Sequence, residues 1–478
     1  MTWPGGRRLV LDPRTKRLAG GRVLLGGVPG RLLRLGPAGP QALLALESGA
    51  SLVSPAVGRL ARSLVDAGLA HPRPGPVPVT DVTVVIPVKD RTEELDRCLS
   101  RLTEQAGLTV SMRLARPAGP NKARGLTVIV VDDGSLEPNR VAAVAERHGA
   151  KVLHREHSCG PGVARNDGLA QVTTTYAAVV DSDVLVPVGW LAELLEHFAD
   201  PQVAAVGPRV VGRPGPSLLE RYAHARSPLD LGPRPALVRP GSPVSYLPTA
   251  TVLLRLAALP TPAFDPALRY GEDVDLFWRL HDEGWLVRYD PDVVVEHQEP
   301  TDWVSWWRRR FAYGTSAAPL AERHPGRLTP LVLRPWPTAV AVLVLARRPA
   351  LAAAVAVVPV ARLTKTLRSH EVPRIEAATA SGRLVVQGVG GTLLGLGSAA
   401  AVLSGPLAWR GASRSGRLRL LLLAPPLLEW LRRRPDVGPV SWTALRLADD
   451  AAYGAGVWWG CWRRRTLRPV LPSRVSPR

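Results

Sequence analysis

Residues 81–90 read DVTVVIPVKD, a nearly uninterrupted run of β-branched side chains that ends in two charged ones. A run of this kind is typical of a strand buried on both faces of a parallel sheet. Comparable segments recur at 125–133 (GLTVIVVDD), 151–156 (KVLHRE) and 176–183 (YAAVVDSD), with helical patterns between them. This alternation predicts a Rossmann-like α/β domain, in which ligands bind beyond the carboxyl ends of the strands.

Charged residues follow three of these strands, as Lys89-Asp90, Asp132-Asp133 and Asp181-Ser182-Asp183. Because parallel strands end at the same edge of a sheet, we expect these side chains to converge on one crevice. An Asp-x-Asp sequence at a strand end can hold a hard divalent cation, since Mg²⁺ and Mn²⁺ prefer oxygen ligands and keep phosphate oxygens in their shell. For the tripeptide taken alone, a solvated loop is the alternative.

Five sequence blocks resemble the family-2 glycosyltransferases of the GT-A fold, in that family's order. They are VTVVIPVKDR (82–91), VIVVDDGS (128–135), GPGVARNDGL (160–169), AVVDSDVLVP (178–187) and GEDVDLFWRLHDEGW (271–285). The resemblance implies a GT-A domain over residues 81–315 that binds a UDP-sugar donor.

The resemblance also implies donor contacts for individual residues. Four would line the nucleoside pocket, where the carboxylates accept hydrogen bonds from uracil and ribose: Pro87, Asp90, Asp132 and Asp133. Three would approach the base, the ribose and the donor sugar: Arg165, Asn166 and Asp181.

Metal and base positions follow from the same resemblance. Asp183 would bind Mg²⁺ or Mn²⁺, and His297 in VVVEHQEP matches a histidine that completes the metal site in several relatives. Glu272-Asp273 would form the catalytic pair, with Asp273 as the base. A sugar hydroxyl is a poor nucleophile, so a carboxylate that takes its proton contributes ~10²- to 10⁴-fold. The alternatives are a structural histidine and a helix start, where acidic residues are common.

The segment WVSWWRRRFAYG (303–314) stands where membrane polymerases of this family carry an acceptor motif with Arg and Trp, although Gln-x-x-Arg-Trp is absent. One interpretation is acceptor stacking on Trp306 or Trp307 with phosphate contacts from Arg308–Arg310. The other is an amphipathic helix at a membrane interface.

Residues 1–75 predict a separate unit of short strands and two helices. It resembles the small winged-helix precursor-binding domains of the PqqD type, which recognise a leader peptide by adding it as a strand to a sheet edge. The proline-rich sequence HPRPGPVPV (71–79) predicts an extended linker behind this unit.

The last third of the chain is basic and partly apolar. Residues 301–478 hold 27 basic and 8 acidic side chains, which is most of the net charge of +21. Leu384–Trp409 has no charged residue over 26 positions, enough to span the ~30 Å hydrocarbon core, whereas Pro425-Pro426 predicts a broken helix. We therefore predict an apolar, Arg-rich helical region over 328–478 at the cytoplasmic face of the cell membrane, and no nucleic-acid partner. A soluble helical subdomain with a compositional bias toward arginine is the alternative.

The sequence predicts an inverting, metal-dependent glycosyltransferase. A PqqD-like unit, a family-2 transferase and an apolar tail, in this order, resemble the glycosyltransferases of mycofactocin systems. That resemblance implies UDP-glucose as donor, a peptide-derived mycofactocin precursor as acceptor and a β-1,4-linked glucose chain as product. Two rivals remain: an enzyme of the same fold with a polysaccharide or lipid acceptor, and a non-catalytic peptide- or nucleic-acid-binding protein. Three scattered cysteines indicate a reducing compartment.

Overall fold

The computed structural model describes residues 8–49, 54–73, 75, 82–113 and 126–474, with the backbone alone for 105–113, 404–414 and 474. Three parts follow one another along the chain: an N-terminal unit, an α/β domain and a helical C-terminal region.

The N-terminal unit contains five short strands and two helices. These are β1 (Arg8–Leu11), β2 (Lys16–Leu18), β3 (Val23–Gly26), β4 (Arg31–Arg34), α1 (Gly39–Ser48), α2 (Pro55–Asp66) and β5 (Ala70–Arg73). Strands β2, β3 and β4 form an antiparallel meander, and β1 pairs with β5. Leu9, Leu24, Leu46 and Leu64 are fully buried between these elements, so the unit has a core of its own, whereas its likeness to a winged helix stays a prediction.

The predicted linker at 71–79 begins too early. His71–Arg73 belong to β5, which pairs antiparallel with β1. His71 is buried, and its Nε2 lies 2.9 Å from Asp12 Oδ2. Prolines favour extended backbone, and β1 pairs with that backbone, so the chain leaves the unit only after Arg73. Residues 74 and 76–79 lie outside the described residues.

The α/β domain is built on one large sheet. Its strands are β6 (Val82–Val88), β7 (Thr127–Asp132), β8 (Lys151–His154), β9 (Tyr176–Val180), β10 (Val184–Leu185), β11 (Val203–Gly212), β12 (Ala236–Val238), β13 (Thr251–Arg255) and β14 (Leu286–His297). Its helices are α3 (Thr92–Arg113), α4 (Pro138–Arg147), α5 (Pro161–Ala170), α6 (Trp190–Leu195), α7 (Leu218–Ala225), α8 (Glu272–Asp282), α9 (Trp303–Thr315) and α10 (Ala317–Arg323).

The strand order is β10-β14-β11-β13-β9-β6-β7-β8, with β12 paired to β14. Strands β6, β7, β8 and β9 run parallel, as the sequence predicts, while β13 is antiparallel to both β9 and β11. Val84 and Ile86 enter one core and Val85 enters the other. Strand β6 is therefore buried on both faces, which explains its uninterrupted β-branched run.

The C-terminal region consists of five helices and a two-stranded pairing. These are β15 (Val332–Leu333), α11 (Pro335–Leu345), α12 (Pro349–Ser369), α13 (Arg374–Arg414), α14 (Gly416–Arg433), α15 (Pro439–Arg464) and β16 (Ser473–Arg474). The predicted break at Pro425-Pro426 is wrong, because α14 continues through both prolines. Pro425 has no N–H to donate to the Leu421 carbonyl, and this carbonyl packs against Gly397 of α13, where a Cβ would overlap it.

Two stretches are long and apolar enough to cross a membrane, Pro349–Ser369 and Arg374–Leu403. Only 11% and 17% of their most apolar windows are buried, and Val357 and Val358 are exposed. The predicted uncharged run thus lies mostly within the second stretch.

The three parts pack on one another. Leu18 and Val23 of the N-terminal unit contact Leu367 and Val372 at the junction of α12 and α13. Helix α15 lies against α9 at such short range that a Cβ on Gly456 would overlap the Phe311 carbonyl. The C-terminal region is therefore packed against the α/β domain rather than appended to it.

Candidate active site

The crevice lies where β9, β6 and β7 end side by side. Asp181 directly follows β9, Asp90 lies two positions after the end of β6, and Asp132 is the last residue of β7. These strands are neighbours in the sheet, so the structure brings together the charged segments that the sequence predicts to converge.

Asp132 and Asp133 hold the loops around this crevice. Asp132 Oδ1 accepts a hydrogen bond from Ser135 N at 3.0 Å, and its Oδ2 lies 2.9 Å from His154 Nδ1. Asp133 Oδ2 accepts a hydrogen bond from Gly160 N at 2.8 Å. Both carboxylates are buried and shape the wall of the predicted nucleoside pocket, and their contacts with a donor stay predictions.

Asp90 has a left-handed backbone, with φ of 54°, a conformation that Asp reaches more easily than most residues. Its N–H donates to Ser135 Oγ at 2.9 Å, and its Oδ1 accepts from Leu136 N at 2.7 Å. These bonds tie the end of β6 to the loop after β7. Pro87 is buried within β6, one position before Val88, the last residue of the strand.

Arg165 is buried at the centre of the crevice. Its Nη2 donates to Asp181 Oδ1 at 2.7 Å, and its Nη1 donates to Glu272 Oε1 at 2.8 Å. One guanidinium from α5 thus joins the end of β9 to the start of α8. The neighbouring Asn166 makes two hydrogen bonds with the backbone of Phe264, at 2.7 and 2.9 Å. Its amide positions the segment before α8, and a donor contact by Asn166 stays a prediction.

Helix α8 presents Asp273 to the crevice. The residue before α8, Gly271, has φ of 80°, and a Cβ there would lie 2.8 Å from Leu320 Cδ1, so glycine is required. Asp273 is half-buried, and desolvation together with the Glu272 carboxylate raises its pKa to about 7. Burial raises the pKa of Glu272 as well, although Arg165 opposes that shift. A carboxylate with a pKa near 7 is suited to taking a proton at neutral pH.

Asp183, His297 and Glu299 form a second, buried group. Asp183 Oδ1 lies 3.5 Å from His297 Nε2, and Glu299 Oε1 lies 3.5 Å from His297 Nδ1. Arg91 pairs with the other oxygen of Asp183. Burial alone would raise the pKa of Asp183, but His297 and Arg91 outweigh it and lower that pKa. Asp183 is therefore ionised at neutral pH.

Among the residues that the structure describes, no group of three or more His, Cys, Asp and Glu side chains could hold a metal ion. Asp183 and His297 still fit a cation that takes its other ligands from a diphosphate. Mg²⁺ is commonly bound by one or two carboxylates together with substrate phosphates, and an ionised aspartate beside an imidazole supplies suitable donors.

The three arginines of α9 point in three directions, as the spacing of about 100° per helical residue requires. Arg308 is exposed. Arg309 Nη1 lies 3.9 Å from Glu299 Oε2, and Arg310 Nε lies 2.6 Å from Asp449 Oδ1 in α15. Of these three, Arg309 is the one that approaches the buried group of Asp183, His297 and Glu299.

The two tryptophans that the sequence suggests for acceptor stacking differ in exposure. Trp306 is buried, with its ring edge-on to Tyr222 at 6.3 Å between centroids. The stacking interpretation is therefore wrong for Trp306. Trp307 is 42% exposed and remains open to a ligand.

Sequence reasoning did not single out Arg91, Ser227 or Glu299. Glu299 follows His297 by two positions in HQE, and Arg91 follows Asp90 directly, so a closer reading of both motifs could have found them. Ser227 contacts Glu299 from 72 residues away, and no local pattern marks it.

Several known proteins resemble this chain in sequence. The family model described as glycosyl transferase family 2 matches residues 83–257, and that of glycosyl transferase family group 2 matches 176–373. The pre-mycofactocin glycosyltransferase of Mycobacterium tuberculosis is 38% identical over 98% of this chain and 98% of its own. The N-acetylglucosaminyl-diphospho-decaprenol L-rhamnosyltransferase of the same organism is 28% identical over 37% of this chain and 67% of its own.

Solved structures also resemble the chain. A mannosyltransferase from Pyrobaculum calidifontis, in complex with GDP-Man and Mn²⁺, is 19% identical with a TM-score of 0.42, and the match covers 80% of this chain and 89% of that one. The full-length identity and the two family models establish the relationship. The chain belongs to glycosyltransferase family 2, within the group that includes the pre-mycofactocin glycosyltransferase of M. tuberculosis.

Proposed function

We propose that this glycosyltransferase inverts the donor configuration, taking glucose from UDP-glucose and adding it to a peptide-derived mycofactocin precursor as a β-1,4-linked chain. The observation that carries the proposal is the half-buried Asp273, whose pKa is raised to about 7, in the same crevice as the ends of β6, β7 and β9. Similarity over 98% of the chain to the pre-mycofactocin glycosyltransferase supports the acceptor class.

The chemistry is a single displacement. Asp273 takes the proton of an acceptor hydroxyl while that oxygen bonds to the anomeric carbon, and the bond from this carbon to the diphosphate oxygen breaks. Attack from the face opposite the leaving group inverts the configuration. Arg165 supports the base by holding Glu272 beside it, and Arg309 brings positive charge toward Glu299 and Asp183.

Replacing the base should separate binding from chemistry. We expect Asp273→Asn to lower kcat by ~10²-fold or more while UDP-sugar affinity stays within a few fold, because proton removal matters only in the transition state. In wild type, kcat/KM should fall tenfold per pH unit below about pH 7, because the raised pKa protonates Asp273 there. The exposed Asp282→Asn on the same helix is the matched control and should behave as wild type. A parallel loss of UDP-sugar affinity, or a flat profile between pH 6 and 8, would contradict this role.

Asp183 and His297 would hold Mg²⁺ or Mn²⁺. Such an ion would neutralise the negative charge on the leaving diphosphate. Asp183 would contribute an ionised carboxylate and His297 a buried imidazole. They lie close together because Asp183 directly precedes β10, whose first residue, Val184, pairs with His297 of β14.

The metal proposal is tested by substitution and by chelation. We expect Asp183→Asn to abolish UDP-sugar hydrolysis, and excess EDTA to do the same to wild type, with recovery on adding Mg²⁺ or Mn²⁺. Glu296→Gln is the matched control, because Glu296 adjoins His297 and is 47% exposed. Full turnover in excess EDTA would rule out a required metal.

A basic cleft supports acceptor capture by the N-terminal unit. A cavity of about 1280 Å³ is lined by that unit (Asp12, Arg14, Val28), by the α/β domain (Arg209, Arg234, Arg239) and by the end of α14 (Arg432, Arg433). This volume exceeds that of most small-molecule pockets. Arg234 and Arg432 are exposed and have no hydrogen-bond or ion-pair partner within the described ranges. The cleft suits an extended acceptor that carries carboxylates.

Point variants test this cleft better than deletion of residues 1–75. Deletion would uncover Leu367 and Val372, which the N-terminal unit covers. We expect Arg234→Gln/Arg432→Gln to raise KM for the peptide-derived acceptor at least tenfold, since the loss of even one charge-assisted hydrogen bond, about 1.5–3 kcal/mol, corresponds to roughly tenfold or more. UDP-sugar hydrolysis should not change. Arg97→Gln/Arg101→Gln on α3, equally exposed, is the control. Equal KM values in both double variants would place acceptor recognition elsewhere.

We place the protein at the cytoplasmic face of the cell membrane. Support comes from the exposed apolar surface of α12 and of Arg374–Leu403 and from the basic excess of residues 301–478. Exposed apolar helices of this length are stable in lipid and a liability in water.

Membrane fractionation tests this placement. We expect release by detergent and not by 1 M salt, because salt removes only electrostatic attachment. Val357→Lys/Val358→Lys in α12 should shift protein toward the soluble fraction, whereas Val440→Lys in α15, also exposed, should not. Complete recovery of wild type in the soluble fraction at low salt would overturn the proposal.

A further inference from the structure

Asp449 of α15 is buried among cationic side chains of the α/β domain. Its Oδ1 lies 2.6 Å from Arg310 Nε in α9, and its Oδ2 accepts from Arg226 Nη1 and, at 3.3 Å, from the Tyr222 hydroxyl of α7. Asp449 is 5% exposed. A carboxylate from the C-terminal helix thus holds two separate segments of the α/β domain at one point.

The residues next to these two arginines both reach Glu299. Ser227, which follows Arg226, donates from its Oγ to Glu299 Oε1 at 2.6 Å. Arg309, which precedes Arg310, lies 3.9 Å from Glu299 Oε2. Asp449 is therefore connected to Glu299 through two separate short segments, Arg226-Ser227 and Arg309-Arg310. Glu299 in turn lies 3.5 Å from His297.

The helices that carry this arrangement are fixed to each other. A Cβ on Gly314 of α9 would overlap the Tyr453 carbonyl of α15, and a Cβ on Gly456 would overlap the Phe311 carbonyl of α9. These contacts lie C-terminal to the Arg310–Asp449 pair, within about one helical turn on α9 and two on α15. Because the backbones touch, α9 and α15 cannot slide without losing these contacts.

We propose that Asp449 is a positioning residue for the transfer reaction, acting through Arg226-Ser227 and through Arg310-Arg309 on Glu299 and His297. On this proposal, helix α15 contributes to the transfer reaction although it belongs to the C-terminal region. The inference rests on the proposed function, since His297 belongs to the proposed metal site. It assigns Asp449 no contact with substrate.

Electrostatics explains why this position needs a carboxylate. Arg226, Arg310 and Arg446 all lie close to the buried Tyr222, and Glu429 pairs with both Arg226 and Arg446, at 3.3 and 3.4 Å. Removing one partner of a buried ion pair leaves an uncompensated charge. Without the Asp449 charge, Arg310 loses its carboxylate partner while Arg226 keeps Glu429. The two arginines are then no longer held at one point, and the segments that carry Ser227 and Arg309 are held less firmly toward Glu299.

The test compares two buried aspartates that each contact two arginines. Asp200 lies 3.0 Å from Arg62 Nη1 and 3.5 Å from Arg288 Nη2, near the end of β14 opposite His297. We expect Asp449→Asn and Asp200→Asn to lower thermal stability alike. Only Asp449→Asn should lower kcat for UDP-sugar hydrolysis, by about tenfold or more, as substitutions behind metal ligands commonly do. Equal kcat values for the two folded variants would overturn the inference.

Hydrogen exchange gives a readout that does not depend on activity. We expect amides of 225–229 and 303–311 to exchange faster in Asp449→Asn and not in Asp200→Asn, and unchanged exchange there would also overturn the inference. Should Asp449→Asn not fold, Tyr222→Phe removes only one hydrogen bond to Asp449 and should show the same pattern at smaller amplitude. Absence of UDP-sugar turnover in wild type would instead sink the proposed function, and hydrogen exchange would then show only whether Asp449 orders the segments that carry Ser227 and Arg309.

Discussion

The double ion pair of Arg165 is the interaction on which the crevice depends. Asp181, Glu272 and Asp273 come from β9 and α8 and would repel one another in a poorly solvated space. Arg165 binds the first two, at 2.7 and 2.8 Å, and among the residues that the structure describes no cationic side chain contacts Asp273 directly. Loss of one member of such a buried group costs about 3–5 kcal/mol. The same arrangement that stabilises the fold thus leaves one carboxylate with a raised pKa.

The crevice has two halves whose environments shift carboxylate pKa values in opposite directions. Around Asp183, the neighbouring His297 and Arg91 side chains outweigh burial and lower the pKa of the carboxyl group. Around Asp273, desolvation and a second carboxylate raise it. Opposed shifts of this kind separate a group that stays ionised from one that exchanges a proton. The proposed division into a metal half and a base half therefore rests on physical differences between the two sites as well as on motif positions.

Local sequence predicts the features that depend on neighbouring residues. Strand β6 follows from its β-branched run, and the convergence of Asp90, Asp132 and Asp181 follows from parallel strand ends. The sequence cannot predict contacts between distant segments, such as Arg226 with Asp449, which are 223 residues apart. It also misjudges residues with two physical uses. Pro72 fits a strand as well as a linker, and Pro425 is tolerated because Gly397 packs against the carbonyl that it leaves free.

The C-terminal region has one surface that is apolar and exposed and another that is buried and ion-paired. The net charge of the region does not reveal this difference. Helix α12 and the first part of α13 expose apolar side chains, whereas Asp449 and Arg446 of α15 are engaged in ion pairs with Arg310 and Glu429. Part of the basic excess therefore has a partner inside the protein, and only the remainder is available to an anionic surface. Because α13 packs against α15, and α15 packs against α9, the apolar surface is rigidly connected to the crevice. Any surface that holds α12 and α13 thereby also fixes the position of Asp273 and Asp183 relative to it.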